Sequence, residues 1–324
     1  MRREHETPSP PVGPRTLAHE ALWRIELIER RLMQVQAMST RAYEAAQDWP
    51  GLINDARQSP EYERSFVGEP LVSVRMPTYN RASLLCEQAL PSIQAQSYEH
   101  WEAIIVGDQC TDDTAERVAA IGDPRISFTN RSFRGPYPKD SFNRWALSGV
   151  NPSNDAIAAS RGGWIASLDD DDEWDTNHLA TLVRAAQESR SEVIYARARV
   201  MNTATGEQNS DIGAWPPVEG QIPLLTTLVH GSFRSLRFDP NTQFAGEVHD
   251  WNYARRLWEA GARFHFVDQV LATHFHTPKV ETQTIELQMI NELRDWCGQL
   301  EDARDYWRAR AEAAEALRGG DDTP

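Results

Sequence analysis

Short apolar runs alternate with amphipathic stretches over most of this chain. The apolar runs have the length of buried strands and cover residues 71–76, 101–106, 125–129, 163–168, 191–200 and 263–267. Helical spacing of apolar side chains covers residues 83–96, 177–188 and 250–260, and a further helix is predicted from about residue 112. Strands and helices that alternate in this way predict an α/β fold, with a mostly parallel central sheet and right-handed crossovers.

The two ends of the chain depart from this alternation. Residues 1–15 are rich in proline and are predicted to be disordered, whereas residues 16–70 are predicted to be a helical extension followed by a linker. Residues 71–278 would form the main domain, in which the irregular segment 201–245 is predicted to be a loop region on the substrate side. Residues 279–324 would form a C-terminal helical extension with a disordered tail. The terminal helices would either cover the main domain or pair between subunits of a homo-oligomer.

An acidic run, Asp169 to Asp172, directly follows the apolar run 163–168. Adjacent carboxylates repel one another, and a hard divalent cation would offset that repulsion. In an extended backbone Asp169 and Asp171 point the same way and can share one cation. The alternative is an acidic turn in which one aspartate caps the next helix.

Two further polar segments follow predicted strands, at residues 78–81 and 107–113. Each segment alone is also explained by a turn or a helix cap. The carboxyl ends of parallel strands meet at one edge of the sheet, which is where open α/β sheets bind their ligands. Together with the acidic run, the two segments therefore predict a binding site at that edge.

These segments resemble the GT-A fold glycosyltransferases of family 2. The segment VSVRMPTYNR at 72–81 is similar to the opening strand and donor-base loop of that family. The segment IIVGDQCTDDT at 104–114 is similar to its second strand, although Gly-Asp-Gln-Cys stands where Asp-Asp-Gly-Ser is usual. The segment RGGWIASLDDDDEW at 161–174 resembles its DxD segment. The resemblance runs from about Leu71 to Pro278 and implies a GT-A fold with a Rossmann-like sheet.

The resemblance implies a site for a nucleotide-diphosphate sugar. The implied donor-nucleotide residues are Thr78, Tyr79, Asp108, Asp169 and Asp170. Asp108 would accept a hydrogen bond from an N–H group of the base, which favours uracil or thymine and hence a UDP- or dTDP-sugar. Asp171 would bind Mn²⁺ or Mg²⁺ between the two phosphates.

The resemblance also implies a catalytic base and a second metal ligand. Asp250 occupies the position of the base, although the preceding residue, usually acidic, is His249. Glu247 is the second candidate, and Asp250 would otherwise be a favourable charge at a helix N-terminus. His276 is the better match for a metal ligand, and His274 lies on the same face of an extended chain.

Charge and composition restrict the function further. A net charge of −15 and a pI near 5.1 argue against nucleic-acid binding, and the three scattered cysteines form no disulfide framework. The N-terminal residues lack an apolar signal core and no apolar run is long enough to span a membrane, so a cytoplasmic protein is expected.

The predicted function is metal-dependent, inverting transfer of a sugar to an acceptor hydroxyl. The acceptor is not evident from the sequence. Two alternatives remain open, a sugar-phosphate nucleotidyltransferase and an inactive nucleotide-sugar or carbohydrate-binding protein. The first usually has a Gly-rich first loop, in contrast to residues 77–81 here.

Overall fold

The computed structural model describes residues 24, 27–28, 31–32, 34–35, 38–40, 42–44 and 46–276, apart from 136, 139, 140 and 246. Contacts divide the chain into two units, and the second, Ala37–Thr277, contains the described strands. The predicted disordered N-terminus and the predicted C-terminal helical extension at 279–324 lie outside the described residues. All the described residues between 24 and 44 are helical. Among all the residues that the structure describes, no helix combines the length and apolar character needed to span a bilayer.

The elements follow one another as strand and helix in alternation. The helices are α1 (Trp49–Arg57), α2 (Pro60–Arg64), α3 (Ala82–Leu84), α4 (Leu90–Gln94), α5 (Thr114–Ile121), α6 (Ser141–Ala146), α7 (Val150–Ala159), α8 (His178–Ser189) and α9 (His249–Glu259), and a π-helical turn, Leu85–Ala89, joins α3 to α4. Single 3-10 turns occupy Leu224–Thr226, Gly231–Phe233 and Thr242–Ala245. The strands are β1 (Val72–Thr78), β2 (Trp101–Gly107), β3 (Ile126–Asn130), β4 (Trp164–Ser167), β5 (Glu173–Trp174), β6 (Val193–Asn202), β7 (Gln208–Ile212), β8 (Thr227–His230) and β9 (Phe264–His276).

One sheet runs through the whole second unit. Its strand order is β3-β2-β1-β4-β8-β6-β9-β5, and β7 pairs with the outer part of β6. Strands β3, β2, β1 and β4 are parallel, and so are β6 and β9. Strand β8 is antiparallel to both of its neighbours. The predicted α/β fold with a mostly parallel sheet is therefore confirmed.

Two predictions about individual segments were wrong. Residues 201–245 are not simply a loop region, because β8 lies there and is buried in the middle of the sheet. A four-residue strand is too short for its periodicity to be recognised in a stretch that contains Pro223 and Gly231. The predicted linker contains α1 and α2 instead, since Pro50 and Pro60 lie in the first turn of each helix, where proline is tolerated.

Both faces of the sheet are covered, which leaves its edges for ligands. Alternate residues of β4 enter different apolar clusters: Trp164 packs in the cluster that contains Leu85 and Leu182, and Ile165 packs in the cluster that contains Leu257. Helices α4 and α8 thus cover one face, and α7 and α9 cover the other. The polar segments predicted to bind a ligand lie at the carboxyl edge of β1, β2 and β4.

Candidate active site

Three strand ends bring the predicted polar segments together. In the pairing of β1 with β2, Thr78 lies opposite Gly107, and the amide of the next residue, Asp108, donates to the carbonyl of Thr78 at 2.8 Å. The amide of Leu168 donates to the carbonyl of Arg75, so the acidic run leaves β4 beside the same edge. The described structure thus places the three segments side by side, as the parallel topology predicts.

Asp169, the first carboxylate of the acidic run, contacts a buried arginine of β1. Nη1 of Arg75 lies 3.2 Å from Oδ1 of Asp169, while the same guanidinium also donates to the hydroxyls of Ser153 and Ser167. The Arg75 side chain is 2% exposed and the Asp169 side chain is 49% exposed. Arg75 is therefore fixed, and about half of the Asp169 side chain is open to solvent at the edge of the sheet.

The second and third carboxylates share one guanidinium nitrogen. Nη1 of Arg81 lies 3.1 Å from Oδ1 of Asp170 and 2.6 Å from Oδ2 of Asp171. Burial raises the pKa of Asp170 to about 7, although Arg81 opposes that change. Two carboxylate oxygens therefore converge on a single point of positive charge at the edge of the sheet.

The fourth carboxylate, Asp172, is buried against β9. It accepts hydrogen bonds from Nδ1 of His274 at 3.0 Å and from the amide of Phe275 at 3.1 Å. The hydrogen bond and charge of Asp172 raise the pKa of His274 to about 9, while burial raises the pKa of Asp172 to about 6. At neutral pH the two groups form an ion pair, which attaches the acidic run to β9.

The predicted metal residues are only partly brought together. His276 is exposed at the end of β9, two residues beyond the His274 that contacts the acidic run. Among the described residues, no group of three or more His, Cys, Asp or Glu side chains is arranged to hold a metal ion. The donor set of Asp170 and Asp171 nonetheless has the hard oxygen atoms that Mg²⁺ and Mn²⁺ prefer, and two of these atoms already converge.

Asp108, the predicted base-binding residue, already has several donors. Its side chain is 4% exposed and contacts Nη1 of Arg131 at 2.9 Å, Nε of Arg134 at 3.3 Å and the hydroxyl of Tyr137 at 2.6 Å. The guanidinium of Arg134 also lies 3.4 Å from the centre of the Tyr79 ring. Arg134 therefore lies between the two residues predicted to contact a nucleobase.

Arg131, Arg134 and Tyr137 were not singled out from the sequence. They belong to the segment that follows β3, which has no periodic pattern. Their position directly after a strand of the parallel sheet could have identified them. Strand β3 is parallel to β2, so residues just beyond its end reach the same edge of the sheet.

Asp250 lies in the first turn of α9, beside His249. Nε2 of His249 is 2.7 Å from Oδ1 of Asp250, and Nδ1 of His249 lies 2.8 Å from the carbonyl oxygen of Ala146. Loss of hydration opposes ionisation of both groups, but their mutual attraction outweighs it. The pKa of His249 is therefore raised and the pKa of Asp250 is lowered. The Asp250 side chain is 42% exposed, but its Oδ1 atom is buried beside His249.

Glu247, the second candidate for the base, is buried. Its carboxylate accepts hydrogen bonds from Nε and Nη2 of Arg255 and from Nδ2 of Asn252 at 2.9 to 3.2 Å. Arg255 also contacts Glu44, from the helical stretch before α1. Glu247 therefore holds the start of α9 in place and is nearly closed to solvent.

Comparison with known proteins agrees with this geometry. The family model described as "Glycosyl transferase family 2" matches residues 73–140 and 149–245, so the chain belongs to that family. The putative colanic acid biosynthesis glycosyl transferase WcaA of Escherichia coli K12 is 31% identical over 150 residues, which are 45% of this chain and 49% of WcaA. The E. coli protein named "UDP-Glc:alpha-D-GlcNAc-diphosphoundecaprenol beta-1,3-glucosyltransferase WfgD" is 27% identical over 132 residues, which are 41% of this chain and 47% of WfgD.

A solved structure supports the fold assignment. S. aureus TarS 1–349, in complex with UDP, superposes with a TM-score of 0.50 at 16% identity, over 64% of this chain and 61% of TarS. The central sheet therefore has the GT-A fold. The chain spans about half the length of the two curated relatives described above.

Proposed function

We propose that this protein is a glycosyltransferase that moves a sugar from a nucleotide-diphosphate sugar to a hydroxyl group of an acceptor, with inversion at the anomeric carbon. The observation that carries the proposal is that Asp108 and the acidic run share one edge of a GT-A sheet, with Asp250 near enough to Asp169 for their charges to interact. Family membership supports the same activity, because relatives such as WcaA and WfgD are named glycosyltransferases.

Thr78, Tyr79 and Asp108 would bind the donor base. The Asp108 carboxylate suits an imide N–H, which uracil and thymine have and adenine lacks. A UDP- or dTDP-sugar is therefore the proposed donor, in agreement with the UDP named for the TarS complex and the UDP-Glc named for WfgD. Arg134 makes a longer contact to Asp108 than Arg131 or Tyr137 does and is the donor that a base would most easily replace.

The acidic run would bind the rest of the donor. Asp169 and Asp170 would line the ribose and the diphosphate, and Asp171, with His276, would hold a Mn²⁺ or Mg²⁺ ion. Such an ion, when bound, stabilises the negative charge that develops on the departing nucleoside diphosphate. Without such an ion, the four adjacent carboxylates would repel a diphosphate even beside Arg75 and Arg81.

Asp250 would act as the general base. The acceptor oxygen forms a bond to C1 of the sugar while the bond from C1 to the diphosphate oxygen breaks, and the hydroxyl proton moves to Asp250. His249 would orient this carboxylate, because its Nδ1 is held by the carbonyl of Ala146 and its Nε2 contacts Asp250. His249 is a positioning residue in this scheme.

The activity can be tested without knowledge of the acceptor. The full chain would be incubated with UDP-, dTDP- and GDP-sugars, with Mn²⁺ and a panel of sugar acceptors, and the released phosphates would be separated. The proposal predicts free nucleoside diphosphate, with the largest yield from a UDP- or dTDP-sugar. A parallel incubation with nucleoside triphosphates and sugar 1-phosphates would detect a nucleotidyltransferase, which forms pyrophosphate from that pair and releases no nucleoside diphosphate from the donors. Binding without release from any donor would indicate an inactive binding protein.

A further inference from the structure

Each carboxylate of the acidic run faces a cation that the chain itself supplies. Arg75 contacts Asp169, Arg81 contacts both Asp170 and Asp171, and His274 contacts Asp172. The chain therefore offsets, without a ligand, the repulsion that the sequence pattern suggested a metal ion would offset.

The three internal cations differ in how firmly they are held. Arg75 is buried and is fixed by the hydroxyls of Ser153 and Ser167 in addition to its carboxylate. Arg81 has a side chain that is 49% exposed, and its guanidinium contacts Asp170 and Asp171 of the acidic run. Arg81 can therefore turn away into solvent, and the buried Asp170, only 7% exposed, then requires another cation.

The backbone near Arg81 supports this difference. The carbonyl oxygen of Arg81, at the start of α3, accepts from the amide of Leu85, so the main chain is fixed. The long side chain alone extends over the carboxylates. Its rotation would cost little beyond the partly exposed ion pairs themselves.

We infer that Arg81 is a built-in counter-ion that occupies the cation position of Asp170 and Asp171 and is displaced when a divalent cation binds. This inference rests on the proposed function, since it assumes that Asp171 is a metal ligand. A guanidinium nitrogen and a divalent ion cannot both contact the same two oxygen atoms, because their charges repel at that separation. Arg81 should therefore weaken metal binding in the absence of a nucleotide and become free to approach the donor diphosphate once the metal is in place.

The test is Mn²⁺ binding to the full chain without nucleotide, measured as free Mn²⁺ by electron paramagnetic resonance at constant ionic strength. Arg81→Gln removes the competing charge and should bind Mn²⁺ about fivefold more tightly than the parent, the scale of a partly exposed ion pair. Arg117→Gln is the matched control. It changes the net charge equally, but Arg117 contacts Ser83 and Glu87 and not the acidic run. Its Mn²⁺ affinity should equal that of the parent.

Two more variants separate the inference from the proposed function. Arg81→Lys keeps a positive charge and should bind Mn²⁺ nearly as the parent does, which excludes a general loosening of the loop. Asp171→Asn should lose Mn²⁺ binding. Equal or weaker binding by a folded Arg81→Gln, alongside loss in Asp171→Asn, would overturn the role of Arg81 and leave the metal site standing. Undiminished binding by Asp171→Asn, or no binding by any variant, would remove the metal site itself.

Discussion

Asp250 is the residue at which binding and catalysis should separate. Asp250→Asn keeps the shape of the side chain and removes its ability to accept a proton, so transfer should fall by roughly 10² to 10⁴. The dissociation constant for the nucleotide should stay the same, because Asp250 is proposed to contact the acceptor. Single-turnover transfer and a nucleotide titration would check both. Transfer near the parent rate, with Glu247→Gln inactive but stable, would move the base to Glu247 despite its burial.

His178 provides a pH test that is independent of the active site. It is buried, and the centre of its ring lies 4.2 Å from the centre of the stacked Trp174 ring. Burial lowers the pKa of His178 to about 4. In the unfolded chain the imidazole titrates near 6.5, so the unfolded state binds a proton that the folded state does not as the pH falls. Between pH 7.5 and pH 5 this group should therefore remove about 2 kcal/mol from the free energy of unfolding.

His178→Phe should reduce that pH dependence. Phenylalanine retains an aromatic ring against Trp174 but cannot be protonated. Urea unfolding of both proteins at the two pH values measures the difference in slope. Identical pH dependence in parent and variant would show that His178 does not contribute to acid sensitivity.

The sequence predicted the role of a residue where that role follows from its immediate neighbours along the chain. The acidic run stood out because an apolar strand delivers it to a sheet edge, and that edge is where the structure places it. The sequence around residue 250 could not show which of Asp250 and Glu247 is the better candidate for the base. Glu247 is buried by Arg255 and Asn252, and these contacts involve Glu44, some 200 residues earlier in the chain.

Elements were predictable in proportion to their length and regularity. The prediction for 177–188 is close to α8, and the apolar run at 101–106 is nearly all of β2. The short strand predicted at 263–267 instead continues to His276 as β9, pairing with β6 across register shifts. Polar residues and bulges conceal the period of two in that second half. As a result, the sequence did not place the histidine segment in the sheet.

Helix α9 depends on a buried ionic cluster for its position. Arg255 lies between Glu44 and Glu247, and all three side chains are 8% exposed. Arg255→Met removes the guanidinium that the two carboxylates share, so the free energy of unfolding should fall by about 3 to 5 kcal/mol. Chemical denaturation would measure this loss.

Arg197→Met is the control for that measurement. Arg197 contacts Asp211 and Asp268 in more exposed pairs, so its replacement should cost at most about 1 kcal/mol. If the two variants are equally stable, the cluster does not hold α9 in place.

At the scale of the whole molecule, the negative charge and the fold together mean that the proposed donor site needs a cation. The chain carries a net charge of −15 and presents an acidic run at the ligand edge of a GT-A sheet. The fold class was accessible from the sequence because alternation and motif position reinforce each other over about two hundred residues. The antiparallel β8 was not, since tertiary pairing and not local pattern makes it a strand.

The most direct test of the account is the titration of UDP into the parent protein and into Asp171→Asn, with and without Mn²⁺. The account predicts that the parent binds UDP only when Mn²⁺ is present, and that chelation of the metal reverses binding. Asp171→Asn should lose about 1 to 3 kcal/mol of that metal-dependent binding, whereas Asp268→Asn, which changes an aspartate that is 76% exposed, should lose none. Undiminished Mn²⁺-dependent binding of UDP by Asp171→Asn would contradict the assignment of the acidic run as the metal and diphosphate site.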